Sequence, residues 1–286
     1  MRGILIPIGG NEDKGIGKNE MYTLEFIGKG ILANVVKESG GTDAKIVVIT
    51  TASSIPQEIG QNYMEAFNKL GCRNVIILDI RDREKSEESE ILQIILDSDC
   101  VLFSGGDQSK IVDFIGGTSL HELLLDKLEK THFVLAGTSA GAMCMSKEMI
   151  KGGHVSDALF KGGVLMRDGM GFLDDVIIDS HFIQRGRFGR LTEAVATFPH
   201  LLGIGLAEDT GLIIRNGNDC EVVGSGMVII FDPSDLQHNN VAVLKPGLPV
   251  SITNLKVNIL ADGDKYFLDE RRVAVMTLEE YDRIQG

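Results

Sequence analysis

The chain has 286 residues, of which 41 are acidic and 28 basic, and its net charge of −13 argues against a general nucleic-acid or anionic-membrane surface. A hydrophobic content of 43% suffices for a substantial buried core, while no apolar stretch approaches the roughly 20 residues that span a bilayer. Cys72, Cys100, Cys144 and Cys220 form no C-x-x-C pair and no plausible zinc set with the six histidines, so we expect reduced, buried thiols and no metal site.

In chain order, the first half alternates short β-branched apolar runs with amphipathic segments. The N-terminal stretch MRGILIPIGG has too few apolar residues for the core of a signal peptide, so it predicts a first strand, and we expect a cytoplasmic location. The predicted strands are Ile4–Ile8, Ile46–Thr50, Asn74–Leu78, Val101–Phe103 and Phe133–Ala136. The predicted helices lie at about Thr23–Glu38, Pro56–Leu70, Glu87–Leu96, Lys110–Ile115 and Leu120–Lys130. This alternation predicts an α/β fold of βαβ units with a mostly parallel sheet covered on both faces.

The pattern changes after about Val222, where apolar runs are separated by Gly, Pro, Asn and Asp. Short strands are predicted at Met227–Phe231, Val241–Leu244, Val250–Val257 and Val273–Met276. No linker composition separates them from the rest of the chain. We therefore predict a single domain over residues 1–286, with an α/β core to about 225 and a β-rich C-terminal part over about 226–286.

Four loops at the ends of predicted strands carry glycine or small hydroxyl residues: Gly9-Gly10, Thr51–Ser53, Gly105–Gln108 and Gly137–Gly141. Ligands of parallel sheets bind outside the carboxyl ends of the strands, so these loops indicate one shared site.

The last of these loops reads Gly137-Thr138-Ser139-Ala140-Gly141, which is G-x-S-x-G between a strand and a helix. That context is typical of a nucleophile elbow, although the same pattern also fits a tight turn. A nucleophilic Ser139 would need a base and an orienting acid.

Among the six histidines, His181 alone directly follows an apolar strand, Val176–Ile178, which makes it the favoured base. For the acid, Glu208 follows the strand Leu202–Ala207, and Asp179 is a rival two residues before His181. Other acids between Ser139 and His181, such as Asp157, Asp174 and Asp175, stay open by pattern alone.

Three arginines, Arg185, Arg187 and Arg190, follow His181 closely in this acidic chain. Arg187 and Arg190 share one face if a helix begins near Gly186, and guanidinium groups suit bidentate binding of carboxylates. The alternative is that these arginines pair with the protein's own surplus acids.

The segments GGNEDK (9–14), FSGGDQ (103–108), GTSAGAMCMS (137–146), DSHFIQRGRFGRL (179–191) and GLAEDTGL (205–212) together resemble the cyanophycinase family of serine peptidases. The resemblance is ordered and runs from residue 4 to about 231. It implies a three-layer sandwich like the class I glutamine amidotransferases and a Ser-His-Glu triad of Ser139, His181 and Glu208. It also implies an oxyanion hole formed by the Ala140 N–H and an N–H of Gly105 or Gly106.

That family releases β-aspartyl-arginine dipeptides from cyanophycin, a poly-aspartate chain that carries arginine on each side-chain carboxylate. The resemblance implies an exopeptidase of this kind with no cofactor, a homodimeric state, and substrate contacts from Gln108, Asp179, Ser180, Arg185, Arg187 and Arg190. Ser180 stands where the family often has glutamine, which leaves open short N-terminal-aspartyl or isoaspartyl peptides as substrates. A non-catalytic binding module on the same fold is the third interpretation, and the three strand-end triad residues argue against it.

Overall fold

The computed structural model describes residues 1–16, 24–277 and 279. Its first half contains β1 (Ile4–Ile8), α1 (Ile31–Glu38), β2 (Ile46–Ile49), α2 (Pro56–Lys69), β3 (Val75–Leu78), α3 (Ser89–Leu96), β4 (Cys100–Phe103), α4 (Gln108–Ile115), α5 (Ser119–Lys130), β5 (Val134–Thr138) and α6 (Ala140–Met143). All five predicted strands of this half are confirmed. The first predicted helix begins only at Ile31, and its predicted start at Thr23 lies outside the described residues.

The second half is mostly strands: β6 (Glu148–Gly152), β7 (Leu165–Asp168), β8 (Val176–Asp179), α7 (Phe188–Thr197), β9 (Leu202–Leu206), β10 (Thr210–Arg215), β11 (Asp219–Gly224), β12 (Val228–Asp232), β13 (His238–Asn239), β14 (Ile252–Thr253), β15 (Lys256–Leu260), β16 (Lys265–Phe267) and β17 (Arg272–Ala274). The helix expected near Gly186 begins at Phe188. No helix among the described residues is long and apolar enough to cross a membrane.

A nine-stranded sheet has the order β17-β16-β11-β10-β1-β5-β4-β2-β3. Its half from β1 to β3 is parallel, and the strands from β10 to β17 extend it in antiparallel fashion. A second sheet has the order β15-β12-β9-β8, with β8 and β9 parallel. The parallel half therefore follows the predicted βαβ pattern. The β-rich part contributes strands to both sheets, and its strands β13 and β14 pair with each other.

Helices cover both faces of the parallel strands because alternate side chains point to opposite faces. Ile4 and Ile6 of β1 pack in one core cluster with α1 and α2, whereas Leu5 packs in the other with α3, α4 and α5. This arrangement is the predicted three-layer sandwich. The C-terminal strands pack on the same core, since Leu260 and Tyr266 belong to the cluster that contains Leu5.

Two predicted C-terminal strands are wrong in detail. Residues Val241–Val243 form a 3₁₀ turn, in which the N–H groups of Val243 and Leu244 donate to the carbonyl of Asn240. The predicted strand Val250–Val257 is interrupted at Asn254, whose φ of 61° lies in the left-handed region. An apolar run of four residues does not distinguish a short strand from a buried turn.

Candidate active site

The loops that follow β1, β2, β4 and β5 converge on one cavity of about 370 Å³, as the strand-end pattern predicted. Its lining consists of Asn11, Glu12, Lys14, Ser53, Ser54, Ile55, Ile59, Tyr63, Gly105, Gly106, Thr138, Ser139, His181 and Arg185. A larger cavity of about 580 Å³ lies between residues 153–165 and 246–247. That larger cavity contains none of Ser139, His181 and Glu208, so the chemistry points to the smaller one.

Ser139 stands on a strained turn between β5 and α6. Its φ of 52° and ψ of −108° are unfavourable for a residue with a side chain, and its N–H donates to the Ile8 carbonyl at 2.8 Å. A side chain at Gly137 would begin 2.3 Å from the Gly141 carbonyl oxygen, and one at Gly141 would begin 2.3 Å from the Phe103 carbonyl oxygen. Both glycines are therefore needed for the sharp turn that presents the hydroxyl to the cavity.

The structure brings Ser139, His181 and Glu208 into one hydrogen-bonded chain. The Oγ of Ser139 lies 2.8 Å from Nε2 of His181, and Nδ1 of His181 lies 2.6 Å from Oε1 of Glu208. A neutral imidazole that donates from Nδ1 to the carboxylate presents Nε2 as the acceptor for the serine hydroxyl. This is the geometry of a nucleophile, a base and an orienting acid.

The three residues come from two different sheets. Ser139 follows β5 of the nine-stranded sheet, while His181 and Glu208 follow the parallel pair β8 and β9 of the four-stranded sheet. His181 has a φ of 47°, and its N–H donates to the Gly9 carbonyl at 2.8 Å, which ties the base to the loop after β1. The backbone of one sheet thus fixes the imidazole of the other beside Ser139.

The environment of His181 favours its neutral form. Burial lowers the pKa of His181 below its usual value, the hydrogen bond and charge of Glu208 oppose that shift, and the charges of Arg185 and Arg187 add to it. A base must be unprotonated before it accepts the serine proton, so this shift keeps His181 competent at neutral pH.

The expected oxyanion donors lie beside Ser139. Ala140 is the first residue of α6, so its N–H has no partner within the helix. A Cβ at Gly105 would lie 3.3 Å from Cβ of Ser139, and one at Gly106, with a φ of 144°, would lie 2.1 Å from the Ala52 carbonyl oxygen. Gly105 lets the loop approach the serine closely, which an oxyanion hole requires, and Gly106 lets the same loop pack against the backbone after β2.

The expected substrate-binding residues separate into two groups. Arg185 lines the cavity. Gln108 is turned away from it, since its amide donates to the carbonyls of Ile150 and Lys151 at 2.9 and 3.1 Å. In this structure Gln108 therefore joins the start of α4 to β6.

Asp179, Ser180, Arg187 and Arg190, which were expected to contact substrate, are outside the lining of this cavity. The fully buried Asp179 carboxylate accepts from Arg190 Nε at 2.8 Å and Arg187 Nη1 at 3.2 Å, and Arg190 Nη2 makes a further short contact. Ser180 is also fully buried, with its hydroxyl 3.3 Å from the Met143 sulfur. The arginines at 187 and 190 pair with the protein's own acid, which was the alternative interpretation.

The loop after β1 contributes residues that sequence reasoning assigned no role. Asn11 donates to Oε2 of Glu208 at 3.1 Å, which fixes the carboxylate on the side opposite His181. Glu12 is buried, and it accepts from the Thr138 hydroxyl at 2.6 Å and from Lys14 at 3.0 Å. The strand-end rule had pointed to this loop through Gly9-Gly10, but an acid in a turn gives no sign that it will be buried.

Cys144 is excluded as a nucleophile by its position. It is fully buried, and its thiol donates to the Gly141 carbonyl at 3.2 Å. Burial raises the pKa of Cys144 far above its usual value, so the reactive thiolate does not form. All four cysteines are free and buried, as expected from the sequence.

Comparison with known proteins gives one matching family model and several similar curated proteins. The family model described as "Peptidase family S51" matches residues 27–222. Cyanophycinases of Trichormus variabilis and a Nostoc species are each 36% identical over 269 residues, covering 94% of this chain and 87% of theirs. The cyanophycinase of Geminocystis herdmanii is 34% identical over 266 residues, covering 93% of this chain and 94% of its own.

Solved structures show the same fold. A peptidase from an acI-B1 actinobacterium matches with a TM-score of 0.62 at 21% identity, covering 90% of this chain and 97% of that one. A putative peptidase E protein from Listeria monocytogenes matches with a TM-score of 0.52 at 17% identity, covering 78% and 98%. These likenesses agree with the predicted sandwich of the class I glutamine amidotransferase type. Because the family model spans most of the chain and the relatives exceed 30% identity over nearly their full length, the chain belongs to peptidase family S51.

Proposed function

We propose that this protein is a serine exopeptidase that hydrolyses cyanophycin to β-aspartyl-arginine dipeptides. The observation that carries the proposal is the chain of hydrogen bonds from Ser139 through His181 to Glu208, which opens onto a cavity. The similarity to cyanophycinases along 93–94% of the chain supports the choice of substrate.

In the proposed mechanism, Nε2 of His181 accepts the Ser139 proton as Oγ attacks the carbonyl carbon of a backbone amide between two aspartates. The N–H groups of Ala140 and of Gly105 or Gly106 stabilise the oxyanion of the tetrahedral intermediate. The imidazolium then gives its proton to the departing amine, which leaves an acyl-enzyme on Ser139. Water hydrolyses this ester with His181 again as base, which frees the carboxylate and returns the proton to Ser139.

Glu208 holds the imidazole in the tautomer that this mechanism needs and stabilises its protonated form. Asn11 positions the carboxylate in turn, through its bond to Oε2 of Glu208 at 3.1 Å. The reaction needs no cofactor, because each proton moves between Ser139, His181, the substrate and water.

Ser180, where the family often has glutamine, makes no substrate contact in this mechanism. The side chain at this position is fully buried behind the Ser139 turn. A serine at 180 therefore changes the packing against Met143, 3.3 Å away, and leaves the cavity wall intact. We further propose that the enzyme acts in the cytoplasm as a homodimer, and light scattering of the purified protein tests the oligomeric state.

The deciding experiment incubates wild-type protein and Ser139→Ala with insoluble cyanophycin and identifies the soluble products by mass spectrometry. We expect β-aspartyl-arginine from the wild type alone. Release of free arginine or of longer fragments would contradict the assigned bond or the exopeptidase mode. No release by folded wild-type protein, with cleavage of short aspartyl or isoaspartyl peptides instead, would replace the substrate and keep the triad.

A further inference from the structure

Lys14 is a charged residue of the cavity wall that the mechanism above does not use. Its side chain is 21% exposed, and Nζ lies 3.0 Å from Oε1 of Glu12 and 3.3 Å from the Glu12 carbonyl oxygen. The ammonium also lies 4.9 Å from the centre of the Tyr63 ring. These contacts hold a flexible side chain in one position, and a preset group loses less entropy when it binds a ligand.

Glu12 cannot compete with a ligand for the cavity. Its side chain is 1% exposed, and Thr138, Tyr63 and Lys14 all donate to its two oxygens. Burial alone would raise the pKa of Glu12, but the charge of Lys14 and these three hydrogen bonds bring it to about 2. Glu12 is therefore a permanent anion whose oxygens face inward.

The cavity wall is consequently cationic. Lys14 and Arg185 are its two permanent cations among the described residues, and Glu12 is the single carboxylate. The two cations of the lining outnumber its one carboxylate, and the next carboxylate, Glu208, lies behind His181 at 2.6 Å; in a chain of net charge −13 this local excess indicates an anionic group on the ligand. The ammonium has three donors, of which two are directed to Glu12, so one remains for such a group.

The loop that carries Lys14 is itself fixed. The N–H of Asp13 donates to Oδ1 of the buried Asp209 at 2.9 Å, and the N–H of Gly15 donates to Oδ1 of Asp13 at 2.8 Å. Lys14 thus sits between two anchored residues, and its position relative to Ser139 is set before any ligand arrives.

We propose that Lys14 is a specificity residue that binds a carboxylate of the substrate residue lying beside Ser139. This inference rests on the proposed function. In cyanophycin that carboxylate is the free α-carboxylate of the arginine attached to the aspartate under attack. The competing role is that of a counter-ion, which neutralises Glu12 and touches no substrate.

The test measures binding in the Ser139→Ala background, where the probe is not turned over. The two probes are β-aspartyl-arginine and the same dipeptide with its arginine carboxylate converted to the primary amide, and calorimetry gives the Kd of each. We expect the acid to bind at least about tenfold more tightly than the amide, as one charge-assisted hydrogen bond predicts. We expect Lys14→Met to remove that preference by weakening the acid alone.

Because Lys14→Met leaves the buried Glu12 anion unpaired and can unfold the protein, the double variant Glu12→Gln with Lys14→Gln repeats the test without a buried charge. Lys69→Met is the matched control, since Lys69 donates to the Gly15 carbonyl at 2.9 Å on the same loop yet lies outside the cavity lining. The control should keep the preference for the acid.

An unchanged ratio of acid to amide affinity in the folded Lys14 variants would overturn the inference and leave the proposed function standing. The inference would likewise be overturned, and the proposed function would stand, if Arg185→Met removed the preference for the acid and the Lys14 variants did not. Failure of the unsubstituted background to bind either probe, together with no release of dipeptide by the wild type, would instead refute the proposed function on which the inference depends.

Discussion

Arg190→Met tests whether the Asp179 cluster stabilises the fold or binds substrate. Arg190 is 5% exposed and Asp179 is 0% exposed, and two nitrogens of the guanidinium bond the carboxylate. Methionine keeps much of the side-chain volume while removing the charge and both hydrogen bonds.

The expected loss follows from what remains around Asp179. Breaking a buried ion pair from one side costs about 3–5 kcal/mol, because the other charge is left buried. Arg187 stays at 3.2 Å from the carboxylate and the Ser180 N–H at 2.9 Å, so compensation is partial. We therefore expect the low end of that range, a loss of about 3 kcal/mol in the free energy of unfolding.

Urea denaturation followed by circular dichroism measures this loss. Arg167→Met is the control, because Arg167 pairs with Asp113 at 2.8 Å with side chains 27% and 54% exposed, and such a pair contributes about 0–1 kcal/mol. We expect the KM of the folded Arg190→Met protein to equal that of the wild type. A raised KM with unchanged stability would refute the buried-pair interpretation and return Arg190 to the substrate.

Three further predictions concern the proposed triad. The acid limb of the pH profile of kcat/KM should have its midpoint below 6.5, because burial lowers the pKa of His181. Arg185→Gln should move that midpoint to higher pH, because it removes a nearby positive charge that also lowers this pKa. A midpoint that moves to lower pH would contradict this expected effect of Arg185. Glu208→Gln should lower kcat by about 10⁴-fold, since the amide no longer enforces the tautomer, and a kcat within tenfold of the wild type would exclude Glu208 as the orienting acid. Gly10→Ala should abolish turnover, because φ is 105° at this position and the new Cβ would lie 2.5 Å from Nε2 of His181. Gly162→Ala should keep turnover, because φ is 88° there and nothing lies within 4 Å of the new Cβ. Equal activity of the two variants would refute the steric argument.

The parallel half of the fold was predictable because each strand is a continuous apolar run bounded by turn residues. Ile46–Ile49 and Cys100–Phe103 are fully buried strands that pair side by side, and such runs leave little ambiguity. The C-terminal part was less predictable, since Val241–Val243 has the composition of a strand and the structure of a turn. Burial of a short apolar run depends on partners that are remote in the chain.

Within the site, the rule that ligands bind at the carboxyl ends of strands favoured Ser139 and His181, while the Ser-His-Glu order with Glu208 as the acid was implied by the family resemblance. The choice between Glu208 and Asp179 does not follow from spacing. Asp179 and His181 are two residues apart, so their side chains would share a face on an extended strand. The φ of 47° at His181 breaks that extended conformation and turns the His181 side chain away from the face of Asp179. The roles of the three arginines depend on burial, which separates Arg185 from Arg190 and has no signature in the sequence.

In the proposed mechanism hydrolysis needs residues from both sheets, since Ser139 follows a strand of the nine-stranded sheet and His181 and Glu208 follow strands of the four-stranded sheet. In a chain growing on the ribosome, the serine turn is synthesised directly after β5. His181 is added 42 residues after Ser139, and Glu208 is added 27 residues after His181. Both residues follow strands of the four-stranded sheet, in which β9 pairs with β8 and with β12. Under the proposed mechanism, a copy in which the four-stranded sheet has not formed is therefore expected to lack activity.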